Sequence, residues 1–299
     1  MNFIFVSDFD IRISNLTSMD VFSPTQIREI MARHGAKPSK FLGQNFLIDT
    51  RVLEKIIVAA KLEKTDTVLE VGPGIGVLTR ALAKNVGKVV AIEKDRALLP
   101  ILHETTKEFN NIETIHGDIL KLDPMPYTLD PYKVVANIPY YITSPLIRKF
   151  LEAPQPPSEM VLMIQKEVAQ RICAKPPEMS LLAVSVQFYA DTKIISQVSK
   201  NCFWPAPNVD SAIIKIIPRN DAEIYAEPRR KNADEFFKVV RAGFSHPRKQ
   251  LINNFCTALS MPRKEAEKWL AESNIQSNQR AETLSVQDWV GLTMTMPKK

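Results

Sequence analysis

The segment Asn137-Ile138-Pro139-Tyr140 sets a side-chain amide, a rigid imide ring and an aromatic face directly after the apolar run Tyr132-Lys133-Val134-Val135-Ala136. A buried strand that ends this way can offer hydrogen-bond acceptors to an exocyclic amine and a stacking face to a flat ring. That is a tool for chemistry on a nucleobase nitrogen. Pro139 locks its own φ and biases Ile138 towards an extended backbone, so the Asn137 side-chain oxygen and the next carbonyls can converge on one point. Tyr140 would stack on the base, as aromatic side chains do with unpaired nucleotides. The plain alternative is a strand running into an X-Pro turn, for which all of these residue types are ordinary.

Three further stretches place chemistry at the ends of strands. In Glu70-Val71-Gly72-Pro73-Gly74-Ile75-Gly76 a strand gives way to a helix, and glycines there let backbone approach a ligand in the crevice where open α/β sheets bind. The pattern differs from the G-x-G-x-x-G dinucleotide fingerprint and lacks the Lys-Ser/Thr of a P-loop, which disfavours NAD and ATP. About twenty residues on, Ile92-Glu93-Lys94-Asp95 ends the next strand, where an acid can accept from both ribose hydroxyls. Glu93 is the better ribose ligand, while Asp95 reads as a helix cap. His116-Gly117-Asp118 ends a third strand and sets a carboxylate for an adenine amino group, with a simple turn as its alternative. Together these ends describe a pocket for an adenosine cofactor with no phosphate clamp, and S-adenosylmethionine is the obvious occupant.

The elements that must hold these groups follow from periodicity. Val52, Ile56, Ile57 and Ala60 mark an amphipathic helix, and Thr67-Val68-Leu69-Glu70-Val71 a buried strand. The alternation continues through Leu78, Ala81 and Leu82, Val89-Val90-Ala91-Ile92, Leu98, Leu99 and Leu102, Val134-Val135-Ala136 and Met160-Val161-Leu162-Met163-Ile164. Strands alternating with helices predict a Rossmann-like α/β fold, a parallel sheet with helices on both faces. Glu227-Pro228-Arg229-Arg230-Lys231 reads as a linker, and the apolar spacing beyond it is helical throughout. The expected domains are residues 19–220 for the sheet and 221–299 for a small all-helical unit. Residues 1–18 are expected to be a disordered lead, since Ser23-Pro24-Thr25-Gln26 is the first proper helix start.

Composition bounds the remaining options. The chain has 299 residues, 45% hydrophobic and 24% charged, with a net charge of +6. Such a chain is globular, and the charge leans towards an anionic partner. Cys173, Cys202 and Cys256 stand far apart and in no metal-ligand spacing, so neither a disulfide framework nor a cysteine zinc site is expected, and a reducing cytoplasm fits best. No segment reaches the ~20 apolar residues of a membrane span.

Lys40-Phe41-Leu42-Gly43-Gln44-Asn45-Phe46-Leu47, the EVGPGIG loop, Glu93, HGD, NIPYYITSP and Phe203-Trp204-Pro205-Ala206-Pro207-Asn208-Val209-Asp210-Ser211-Ala212 follow one another along the chain. In that order they resemble the ribosomal RNA adenine N6-dimethyltransferases, over about residues 22 to 295 and most closely in the bacterial small-subunit type. The resemblance implies a class I methyltransferase domain using S-adenosylmethionine and dimethylating N6 of two adjacent adenines in the 3′-terminal hairpin of small-subunit rRNA. Its partners would be that RNA and the assembling 30S particle, met by a cytoplasmic monomer with no metal and no membrane. It carries cofactor binding to Asn45, Leu47, Gly72, Glu93, Asp118 and Asn137. It places the target adenine between Tyr140 and Phe203, with Asn137 and Pro139 beside the reacting amine. Lys166, Arg171, Arg248 and Lys249 are the basic residues proposed to face RNA, each with solvation of a helix face as its alternative.

Two departures stand out: Pro176-Pro177-Glu178-Met179-Ser180 replaces a Tyr-Gly pattern, and Pro247 replaces a residue that is often basic. Other readings are a large-subunit adenine methyltransferase of the macrolide-resistance type and an assembly or RNA-binding factor with minor catalysis. A small-molecule methyltransferase would not need the basic helical tail. The chemistry itself asks for no strong base, because a sulfonium is already an activated donor; the task is positioning.

Overall fold

The computed structural model describes residues 21–124, 127, 131–219 and 227–297. The expected lead at 1–18 lies outside the described residues. Helix α1 (Pro24–Arg33) starts as its sequence implies. Ser23 Oγ accepts the Gln26 N–H at 3.3 Å, and Gln26 Oε1 accepts the Ser23 N–H at 2.8 Å. Satisfying end groups in this way stabilises a helix by about 1 kcal/mol.

After the short strand β1 (Phe46–Leu47) and helix α2 (Thr50–Ala60), strands and helices alternate: β2 (Thr67–Val71), α3 (Val77–Asn85), β3 (Lys88–Glu93), α4 (Leu99–Thr106), β4 (Ile112–His116), β5 (Tyr132–Asn137), α5 (Thr143–Leu151) and β6 (Glu159–Gln165). These last five strands run parallel, with Val71 opposite Ile92, Glu93 opposite His116 and Asn137 opposite Met163. The expected α/β architecture is therefore present. The chain continues through α6 (Lys166–Ile172), α7 (Leu181–Gln187), β7 (Ala190–Val198), β8 (Phe203–Trp204) and β9 (Ser211–Pro218). The sheet has seven strands in the order β4-β3-β2-β5-β6-β9-β7, while β1 and β8 form a separate antiparallel pair.

Strand order reverses between β2 and β5, so their carboxyl ends open a crevice at the switch point. The central strands are buried on both faces, which is why they read as unbroken apolar runs. At the sheet's two margins the strands are more open: β4 is exposed at Glu113, Thr114 and His116, and β7 exposes alternate residues. Strands β7 and β9 were not anticipated from the sequence.

The described residues divide into two compact units, one drawn from 21–146, 157–166 and 194–215, the other from 147–156, 167–193, 216–219 and 227–297. This differs from the expected single boundary near 220. In the second unit, Met179, Ala183 and Val184 share a core with Phe236, Val240, Phe255, Trp269 and Trp289. The Met179 N–H also donates to the Glu282 carbonyl at 3.0 Å. The divergent 176–180 segment is thus a tie within that unit. Its Ser180 caps α7, accepting the Ala183 N–H.

The expected linker at 227–231 is instead the beginning of α8 (Glu227–Gly243), because a proline in a first turn initiates helix as readily as it breaks one. Three helices follow, α9 (Leu251–Ala258), α10 (Arg263–Glu272) and α11 (Val286–Met294). Among the described residues no helix is long and apolar enough to cross a membrane.

Candidate functional site

One pocket gathers the carboxyl ends of β2, β3 and β5 with the loop before β1; its lining includes Asn45, Leu47, Gly72, Glu93, Asp118, Asn137, Pro139, Tyr140 and Phe203. Every expected cofactor and adenine residue therefore reaches the same cavity.

The loop after β2 is shaped by its glycines. Gly72 has φ +69° and Gly74 φ +61°, a backbone region that other residues rarely occupy. Any Cβ on Gly74 would lie 3.1 Å from the Phe46 ring, so the ring seats directly on that glycine. A Cβ on Gly72 would meet Pro139 at 3.5 Å, which sets the loop against the Asn137–Tyr140 segment.

Glu93 is 6% exposed and already engaged. Its Oε2 accepts the Gly74 N–H at 3.0 Å and its Oε1 the Asp95 N–H at 2.7 Å. These bonds aim the carboxylate and leave lone pairs on both oxygens for further donors. Burial raises its pKa, with the backbone N–H groups opposing the rise. Asp95 does cap the following turn, accepting the Ala97 N–H at 3.0 Å. It also accepts from Gln44 Nε2 at 2.7 Å, a long-range link not foreseen from the sequence.

Asp118 is less open to a ligand than expected. Its Oδ2 pairs with Lys94 Nζ at 3.0 Å and its Oδ1 accepts the Leu120 N–H at 3.0 Å. Burial works to raise its pKa, but the Lys94 ammonium and that N–H outweigh it and the pKa is lowered. Lys94 was missed as a site residue. The available signal was register: Glu93 lies opposite His116, so the residues just beyond each strand end are neighbours.

The Asn137 segment is held from three sides. Asn137 Nδ2 donates to the Asn45 carbonyl at 3.2 Å, which orients the amide so that Oδ1 is left to accept from a ligand. The Ile138 N–H donates to the Met163 carbonyl at 3.1 Å. The Pro139 carbonyl accepts the Ile142 N–H at 3.1 Å, closing a tight turn. Tyr140 is half-buried, and its hydroxyl shares a 2.8 Å hydrogen bond with Ser211 Oγ. Burial raises its pKa.

Phe203 is 3% exposed and belongs to the core. It sits opposite Leu47 in the β1–β8 pair, so the first loop and the aromatic segment share one backbone ladder. The two rings, Tyr140 and Phe203, line the same pocket, and no stacking contact joins them among the described residues.

Glu70, in β2, is 1% exposed and lines the pocket, and its Oε2 has no hydrogen-bond partner. Burial lifts its pKa to about 8; the nearby Thr79 hydroxyl opposes the rise and the Glu93 charge adds to it. It is a neutral acid at neutral pH.

The basic residues stand apart from this cavity's lining. Lys166 is half-buried at the start of α6 and Arg171 is exposed near its end. Arg248 and Lys249 are exposed in the connection between α8 and α9, not on a helix, because Gly243 and Pro247 interrupt the helical run. Asn254 Nδ2 secures that connection by donating to the Gly243 and His246 carbonyls.

The donor set fits an adenosine without phosphates. Glu93 offers two aimed acceptor oxygens to a diol, and Ile92, Leu98 and Ile119 supply apolar walls. Among the described residues Lys94 is the one cation in the lining, and it is spent on Asp118.

Comparisons with known proteins agree with this geometry. The family model for ribosomal RNA adenine dimethylase matches residues 35–296. A ribosomal RNA small subunit methyltransferase A from Dehalococcoides mccartyi strain BAV1 is 45% identical, over 90% of this chain and 92% of its own. The enzyme of that name from Clostridioides difficile is 42% identical, over 88% and 92%. Among solved structures, a dimethyladenosine transferase from Plasmodium falciparum superposes with a TM-score of 0.70 at 30% identity, covering 82% of this chain and 95% of that one. The 23S rRNA methyltransferase ErmE gives 0.68 at 28% identity, covering 84% and 99%. A match that runs nearly end to end and includes every pocket strand leaves one conclusion: the chain belongs to the ribosomal RNA adenine dimethylase family.

Proposed function

We propose that this protein dimethylates N6 of two adjacent adenines in the 3′-terminal hairpin of small-subunit rRNA, acting on the assembling 30S particle as a cytoplasmic monomer. The observation that carries this reading is the Asn137 amide, held by the Asn45 carbonyl with its oxygen free at the mouth of an adenosine pocket. The 40–45% identity to enzymes named for the small subunit favours that RNA over the large-subunit alternative.

S-adenosylmethionine, when bound, supplies a methyl group already activated on a sulfonium. Glu93 would hold its ribose and Asp118 its adenine amine, the latter by sharing or exchanging its Lys94 partner. Asn45, Leu47 and Gly72 would form the wall around the methionine end. Asn137 Oδ1 and the Ile138 carbonyl then accept the two N–H groups of the target amine, since the Pro139 carbonyl already receives Ile142. Accepting both hydrogens favours a tetrahedral nitrogen and turns its lone pair towards the methyl, so positioning does most of the catalytic work. Tyr140 stacks on the target ring, and Phe203 supports the opposite wall. The adenine must leave any base stack to enter, and Lys166, Arg171, Arg248 and Lys249 are the residues we assign to surrounding phosphates.

Mass spectrometry of rRNA from a deletion strain tests the assignment. Loss of paired dimethyladenosines from the small-subunit 3′ hairpin is the expected result. Loss from large-subunit rRNA, or from neither, would overturn it.

A further inference from the structure

The turn before β1 carries an aromatic side chain that does nothing for the fold. Phe41 is 89% exposed, the most exposed large apolar side chain among the described residues. It is held out firmly. The Gly43 N–H closes the turn onto the Lys40 carbonyl at 3.1 Å, the Leu42 N–H donates to Ser39 Oγ at 3.3 Å, and Gln44 Oε1 accepts the Ser39 N–H at 2.7 Å. Gln44 is itself fastened to Asp95.

This turn packs beside the pocket mouth, where a Cβ on Gly43 would lie 3.9 Å from the Tyr141 ring. Tyr141 is 51% exposed, with Lys94 Nζ 5.8 Å from its ring centroid. Lys40 is exposed next to Phe41. Two water-facing rings, with the exposed Lys40 ammonium beside Phe41, match the parts that single-stranded nucleic acid needs: π-faces for bases and positive charge for the backbone.

We propose that Phe41 and Tyr141 form a stacking platform for the unpaired nucleotides flanking the target adenine, with Lys40 at their phosphate. This rests on the reading of the pocket as an RNA adenine site. The platform holds the neighbours in place while one base enters the pocket, and so contributes to RNA affinity and not to the chemical step.

The test uses the full chain and a synthetic RNA hairpin with two adjacent loop adenines, the nucleotide beside them replaced by fluorescent 2-aminopurine. Binding to the wild-type protein should quench that fluorescence. Phe41→Ala and Tyr141→Ala should each weaken binding roughly 5- to 150-fold, the range for loss of one stacked base. Phe41→Trp should restore the quench and Phe41→Leu should not, while cofactor affinity of the Phe41 variants stays at the wild-type level. Unchanged quench and affinity in the double alanine variant would overturn the platform. Weaker engagement of small-subunit particles with no change on the hairpin would also overturn it, in favour of a protein contact. Methyl transfer by the wild-type protein is measured in parallel, so a failure of the activity reading shows there and leaves the binding result to judge the platform.

Discussion

Glu93 accepts two backbone N–H groups without any ligand, so its geometry is prepared before binding. Removing it costs the ligand its acceptors and loosens the glycine loop. Glu93→Ala should weaken S-adenosylmethionine binding by about 1 to 3 kcal/mol in calorimetry, the range for leaving a buried hydrogen-bond partner unsatisfied. Tyr140 separates two contributions. Tyr140→Phe removes the bond to Ser211 but keeps the stacking face, so it should lower stability by about 1 kcal/mol with little loss of RNA binding, whereas Tyr140→Ala should lose the stack, about 1 to 3 kcal/mol of RNA binding. Asn137→Ala should lower the single-turnover methylation rate more than it lowers RNA affinity, because its oxygen acts where the reaction occurs. At this scale the sequence was readable where a residue's partner is local, as with the Asp95 cap. It was opaque where the partner is remote: Gln44 reaching Asp95, Lys94 pairing with Asp118 and Ser211 holding Tyr140 all depend on strands meeting in space.

Strand β2 carries a buried acid near its carboxyl end, and the fold's stability inherits that acid's titration. Glu70 ionises at its ordinary 4.5 in an unfolded chain but at about 8 in the fold. Between those values the unfolded state has lost a proton that the native state keeps. Stability is therefore highest below the lower pKa and falls as pH rises, by up to ~1.4 kcal/mol per pH unit, until the carboxyl ionises in the fold as well. Thermal unfolding of the wild type should show a falling midpoint from about pH 5 to about pH 8, and Glu70→Gln should flatten that trend. An unchanged slope would mean that another group controls it. The central parallel strands were legible because burial on both faces leaves continuous apolar runs. The last two were not. Ala190–Val198 is half-exposed at a sheet margin with weak contrast along it, and Ser211–Pro218 lies outside the strand-helix alternation that marks the others.

Across the whole molecule, a net charge of +6 makes RNA binding partly a counterion effect. Neutralising Arg248 and Lys249 together should weaken binding to small-subunit particles and lower the dependence of log K on log salt by roughly 1 for each phosphate that is no longer neutralised. A full salt slope in that variant would move the RNA surface to another face. The two-unit composition was foreseen in kind, an α/β sheet and a helical part, but not in its boundaries. Periodicity reports whether a segment is helical, and α6 and α7 are helical in either assignment. Which core they join is decided by the side chains that surround them: Ala183 and Val184 of α7 belong to the buried cluster that also holds Phe236 and Trp269.

That interleaving has a consequence for inheritance and engineering. The second unit is assembled from three stretches, 147–156, 167–193 and the described residues of 216–297, so no single crossover in the gene can exchange it for a relative's. A chimera joined at 220 would keep one parent's Met179 and Val184 and fill their surroundings with the other parent's aromatics. Recombinants of this family should therefore keep their stability only when all three stretches travel together, which thermal unfolding of chimeras joined at 220 would check.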